Sequence, residues 1–151
     1  MYDFSFSLTG GAGEYKIYIG YEGSKGLIGP VSVNVKRDVS AKLGAYGDGK
    51  EFVNMNEILS SPEQSITFKG IISNKYNAAL NAVLYAAGYD TNGKILWSDF
   101  VEGAVNKFGD NEIKLSVDKE QILDNGEIKV FLWTDNQKPI VGVKPFNAAE
   151  Y

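Results

Sequence analysis

Residues 78–101 read AALNAVLYAAGYDTNGKILWSDFV, and how this run divides decides the fold. Val83, Tyr85, Ala87 and Tyr89 alternate with Leu80, Ala82, Leu84 and Ala86, so the run is apolar on both faces. Alanine and leucine favour a helix. Gly88 interrupts one, however, and Asp90-Thr91-Asn92-Gly93-Lys94 follows, where Asn92-Gly93 supplies the left-handed positions of a tight β turn. A second strand runs from Ile95 to Val101. The spacing therefore predicts a central strand, buried on both sides and folded back on its neighbour.

Short strands with turn residues between them continue on either side. Downstream, Ile113, Leu115 and Val117 alternate with polar residues, and Ile128, Val130 and Leu132 stand opposite Phe131 and Trp133. A last strand is expected at Ile140 to Val143. Upstream, Ile66, Phe68 and Ile72 share a face of Ser65 to Ser73. Residues 38–63 break the rhythm, with Gly44, Gly47 and Gly49 in a polar run and Ser60-Ser61-Pro62 at the end. They read as a connection containing one helical turn near 55–60. Before them, Tyr2, Phe4, Phe6 and Leu8 alternate with polar residues, Gly10 to Gly13 turns the chain, and Tyr15, Ile17 and Ile19 form a second strand. A third, opened by Pro30, carries Val31, Val33 and Val35. The first strand starts with no leading loop, so the chain is expected to begin in mid-strand. Strands without βαβ alternation predict an all-β antiparallel sandwich. The expected organisation is a three-stranded segment at 1–37, a connection at 38–63, the sandwich at 64–146 and a tail at 147–151.

A chain of 151 residues, 44% hydrophobic and 23% charged, has the composition of a globular domain. Its formal net charge of −4 lacks the basic footprint that neutralises phosphates, which argues against nucleic acid as a partner. No stretch approaches the ~20 apolar residues of a membrane span. Cysteine and histidine are both absent. Their loss excludes Ser-His-Asp and Cys-His nucleophiles, the zinc sites built on those residues, and the commonest general base near neutral pH. Carboxylates, Lys, Tyr and Ser remain for chemistry.

The segment Leu84 to Ile95, followed by Ile128-Lys129-Val130-Phe131-Leu132-Trp133-Thr134 and then Lys138-Pro139-Ile140, resembles the immunoglobulin-like or fibronectin-like modules appended to secreted Clostridium-type and Bacillus-type proteins. Such modules carry a hairpin with an Asp-x-x-Gly turn and close on a Lys-Val-Phe-Leu-Trp strand. The resemblance covers about residues 64–142. Separately, the first 36 residues, through Gly13-Glu14-Tyr15-Lys16-Ile17-Tyr18-Ile19-Gly20, resemble the last strands of a preceding sandwich unit in these proteins, which implies that the natural protein extends upstream of Met1. The resemblance implies an extracellular or cell-surface address and an accessory role beside glycan-active domains. It implies as partners a polysaccharide or neighbouring modules of the same protein. Function itself has to be argued from a site.

Three candidate sites follow from the residues. Sugar rings pack on flat aromatic faces while polar side chains take the hydroxyls. Trp97, with Tyr89 across the hairpin and Asp99 nearby, is the candidate platform, set against a plain Tyr89–Trp97 cross-strand pair that stabilises the sheet. Trp133, in an apolar strand, is assigned to the core. Paired carboxylates could serve a glycosidase, but Asp99 and Glu102, Asp110 and Glu112, and Asp118 and Glu120 all lie in or beside predicted turns, where solvated acids are ordinary. No catalytic residue is assigned, and the chain reads as a non-enzyme. Asp90-Thr91-Asn92-Gly93 mimics the start of a calcium loop without its later ligands. No cofactor is therefore expected, and a structural calcium assembled from separate loops stays open. A spacer or protein-assembly module without a small ligand is the alternative to glycan binding, and an open edge at Tyr2 to Leu8 would favour assembly.

Overall fold

The computed structural model describes residues 13–20, 23, 26, 28–35 and 39–148. The strand expected at Tyr2 to Leu8 lies outside them. The chain divides into two compact units, 1–38 and 39–151.

In the first unit, β1 (Gly13–Ile19) pairs antiparallel with β2 (Ile28–Val35). Tyr15 faces Val33 and Ile17 faces Val31, and the register slips between Ile17 and Ile19. The extra residue lies on β2, between Ile28 and Val31, and Ile19 near the end of β1 is 52% exposed.

The second unit is an antiparallel β-sandwich, as the strand pattern predicts. One sheet has the order β4-β3-β5-β8, from β3 (Val39–Gly47), β4 (Lys50–Phe52), β5 (Ser65–Asn74) and β8 (Gly109–Asp118). The other has the order β10-β9-β6-β7, from β6 (Leu80–Tyr89), β7 (Ile95–Val105), β9 (Glu127–Thr134) and β10 (Lys144–Asn147). Two short helices, α1 (Met55–Ser60) and α2 (Lys119–Ile122), add Met55, Ile58 and Ile122 to the core. The 78–89 run is the central strand β6, hydrogen-bonded to β7 on one side and β9 on the other.

Residues 38–63 are not a connection. β3 pairs with β5 from Val39↔Asn74 to Tyr46↔Thr67, so the sandwich begins at Val39, not near 64. Val39, Ala41, Leu43 and Ala45 point to the core in alternation, and small side chains and Gly44 disguise that period. The Gly-rich stretch is the β3–β4 turn, where Asp48 and Gly49 both take positive φ (45° and 76°), as a two-residue hairpin of this hand requires. The helical turn expected near 55–60 is α1. Asn54 caps it by accepting the N–H of Glu57, whose own carboxylate accepts the N–H of Val53.

The last strand also lies further along than Ile140 to Val143. Ile140 N–H reaches the Leu132 carbonyl and Pro139 bridges Trp133, but the ladder forms at Lys144–Asn147, opposite Glu127–Val130. This places Phe146 in the core, against Phe68 at 6.3 Å between ring centroids, so Asn147 belongs to a strand instead of a tail.

The core lies between the sheets. Ile66, Phe68, Ile72, Ile113, Leu115 and Val117 face Ala82, Leu84, Ala86, Ile128, Val130 and Leu132. Each large side chain fully buried there contributes about 1.5–3 kcal/mol. Asn74 is a buried polar residue at the rim of this core, and both its amide hydrogens and its oxygen are bonded. Its amide donates to the Ala78 and Asn106 carbonyls and its oxygen accepts the Tyr76 N–H, tying the end of β5 to the loops after β5 and β7.

Candidate ligand-binding face

Register decides which side chains share a face. Across β6, the inward pairs are Leu84↔Leu132 and Ala86↔Val130 with β9, and Leu84↔Val101 and Gly88↔Trp97 with β7. The outward pairs are Val83↔Trp133, Tyr85↔Phe131, Val83↔Glu102 and Tyr85↔Phe100. The outer face of this sheet therefore carries a compact aromatic cluster. Tyr85 lies 5.5 Å from Phe100 and 5.3 Å from Trp133, and Phe131 lies 5.5 Å from Trp133. Phe100 is 55% exposed and the other three are half-buried. Val83 and Ala87 lie on this outward side yet are nearly as buried as the core, because larger neighbours on β7 and β9 cover them.

Polar groups rim the cluster. Beside Val83, a shallow pocket of about 220 Å³ is lined by Asn81, Glu102 and Asp135. Toward the other end of the sheet, Lys129 pairs with Glu127 at 3.3 Å and stands 5.0 Å over the Tyr89 ring. Apolar rings with hydrogen-bonding groups at their margins can stack on a sugar ring and bind its hydroxyls. The interplanar angles of 35°, 52° and 59° mean that the rings form a faceted surface.

The three residues chosen from the sequence are not brought together. Trp97 stands on the inward side of β7, packed against the core, and its Nε1 donates to Asn125 Oδ1 at 2.6 Å. Its cross-strand partner is Gly88 instead of Tyr89, and consecutive residues of a strand point to opposite faces. Tyr89 is on the outer face beneath Lys129. Asp99 is exposed at the sheet edge, where its Oδ1 accepts the N–H of Phe100 at 2.8 Å. Trp133, assigned to the core, instead belongs to the outer aromatic cluster. Tyr85, Phe100 and Phe131 complete that cluster and were missed. Their signal was present in the doubly apolar β6 run and in Phe131 and Trp133 alternating against Ile128, Val130 and Leu132.

The carboxylates have other duties. Glu112 lies 2.7 Å from Lys114 and 3.6 Å from Lys69. Asp90 Oδ1 accepts the N–H groups of Asn92 and Lys94 and so closes the β6–β7 turn, where Gly93 takes a φ of 80°. Among the described residues, no three acidic side chains converge as a metal site. A cleft of about 340 Å³ beside α1 is lined by Asp48, Lys50, Phe52, Glu57 and Glu63, and its Glu57 carboxylate is already bound to the Val53 N–H.

No family model matches the chain, and no curated protein matches it. Among solved structures it is similar to a GH3 beta-glucosidase of Bifidobacterium adolescentis (12% identity, TM-score 0.40), over 78% of this chain and 18% of that one. It is similar to a beta-D-glucoside glucohydrolase of Trichoderma reesei (10%, TM-score 0.43), over 80% of this chain and 19% of that one. A beta-glucosidase of Listeria innocua is similar at 14% identity and a TM-score of 0.40, over 84% of this chain and 18% of that one. The chain thus spans about a fifth of the length of these solved chains.

Proposed function

We propose that this chain is a non-catalytic accessory module of a larger extracellular bacterial protein, and that the outer face of its β10-β9-β6-β7 sheet binds glycan chains. The observation that carries this reading is the cluster of Tyr85, Phe100, Phe131 and Trp133 on an outward sheet face, with Asn81, Glu102 and Asp135 at its margin. Rings tilted against one another fit a single, twisting chain better than the flat surface of a crystalline polysaccharide. The likeness of the hairpin and of the Lys129–Trp133 strand to modules of secreted proteins supports the address. The non-catalytic role is supported by the absence of His and Cys and by acids held in turns, ion pairs and the strand edge.

A second reading, protein assembly, is favoured by Ile95, Leu96 and Phe100, which extend the apolar surface to the sheet edge at 45–56% exposure.

Tryptophan fluorescence titrated with soluble polysaccharides tests the first reading. A saturable change that Trp133→Ala and Tyr85→Ala abolish, and that Trp97→Phe retains, is the expected result. No response to any glycan, with self-association or capture of a neighbouring module that Phe100→Ala weakens, would replace it with the second.

A further inference from the structure

Among the described residues, β7 is the last strand of its sheet, with β6 as its one pairing partner. An edge strand offers unpaired N–H and C=O groups to any other strand, and folded proteins blunt such edges with charges and bulges. At eleven residues β7 is long, and Phe100 at its middle is 55% exposed. Two features interrupt it. The register steps from Gly88↔Trp97 to Tyr89↔Ile95, which leaves Leu96 as a bulge. Beyond the bulge, Asp99 Oδ1 accepts the N–H of Phe100. An N–H bound in this way is not donating to β6, so it points off the edge, to where the next strand would sit.

We propose that Asp99 guards the β7 edge against pairing with a second copy of this chain. Along a strand the main-chain groups alternate in direction, so Ser98, Phe100 and Glu102 all present theirs to the open side. A two-fold axis at Phe100 sets Phe100 against Phe100 of the copy and Ser98 against its Glu102, ring to ring and hydroxyl to carboxylate. The edge is thus self-complementary apart from Asp99. There the carboxylate occupies the central hydrogen bond, and pairing would press it against Val101 of the copy, a charge set beside an apolar side chain.

Sedimentation analysis over a concentration series tests this guard. Asp99→Ala frees two N–H groups per dimer and removes two misplaced charges, and is expected to tighten self-association by roughly 30-fold or more over wild type. Asp99→Asn keeps an acceptor oxygen in place but loses the charge, and should associate more tightly than wild type and less tightly than Asp99→Ala. Adding Phe100→Lys to Asp99→Ala sets like charges on the axis and should restore the monomer, with circular dichroism confirming the fold of each variant. Three outcomes overturn the proposal: an Asp99→Ala protein as monomeric as wild type, a wild type as associated as Asp99→Ala, or association that survives Phe100→Lys.

Discussion

The indole Nε1 of Trp97 donates to Asn125 Oδ1 at 2.6 Å directly over Gly88, where a Cβ would lie 1.7 Å from that oxygen and 2.2 Å from the indole nitrogen. The pair joins β7 to the turn before β9, and the Asn125 amide continues to the Gln121 carbonyl. Glycine at 88 is therefore a condition of the contact. Gly88→Ala is expected to cost about 3 kcal/mol, at the upper end for overpacking. Trp97→Phe, which strands the buried Asn125 oxygen, is expected to cost about 1–3 kcal/mol. Urea unfolding of the two variants checks the order, and a Gly88→Ala protein as stable as wild type would refute it.

Asn74 offers a second test. Its three hydrogen bonds connect the end of β5 to the loops after β5 and β7. Asn74→Ala leaves a donor and two carbonyls without their partner, and is expected to cost about 2 kcal/mol. Amide exchange should show the effect concentrated at Tyr76 and at the turn after β7 rather than in β6.

The β3–β4 turn depends on a left-handed residue at 48. Asp48→Val places a β-branched side chain at positive φ and is expected to destabilise the protein by about 1–2 kcal/mol. Asp48→Gly should be neutral or mildly stabilising, as thermal unfolding of both would show.

On β3 and β4, Lys42 lies 2.8 Å from Glu51, and its hydrogen bond to that carboxylate, followed by the field of Tyr46, raises the ammonium pKa above the ordinary 10.5. A raised folded-state pKa contributes stability that is fully present below 10.5 and is lost as pH climbs through the higher value. The pair is exposed, so the effect is small and salt-sensitive. Glu51→Gln should remove this small contribution at neutral pH and flatten the profile above pH ~10, so that variant and wild type converge at the alkaline end.

How much of this was legible in the sequence varied with the kind of information needed. The class of fold was, because Leu84 to Gly93 states a strand and a turn locally and Ile113, Leu115 and Val117 repeat the period. β3 was not, since Val39, Ala41, Leu43 and Ala45 alternate too quietly beside Gly44, although Asp48-Gly49 is itself a hairpin signal. For the site, alternation showed that Trp133 and Phe131 oppose Ile128, Val130 and Leu132. With both faces apolar, only the second sheet decides which one is inside. Trp97 failed for a different reason: the Leu96 bulge sets its register, which pairs it with Gly88, and a one-residue slip exchanges faces.

The contact between Phe68 and Phe146 bears on the order of events in synthesis. About half of the chain separates the two rings, and Phe146 comes from the last described strand. A ribosome therefore makes the other described strands of the sandwich before the residue that packs on Phe68 exists. Through that interval the nascent sandwich holds an uncovered aromatic seam, the kind of surface that chaperones bind and that promotes misassembly between neighbours. Completion of the fold thus waits on the final strand, and the release of residues 144–147 from the exit tunnel is expected to be the step that commits the unit to its native state.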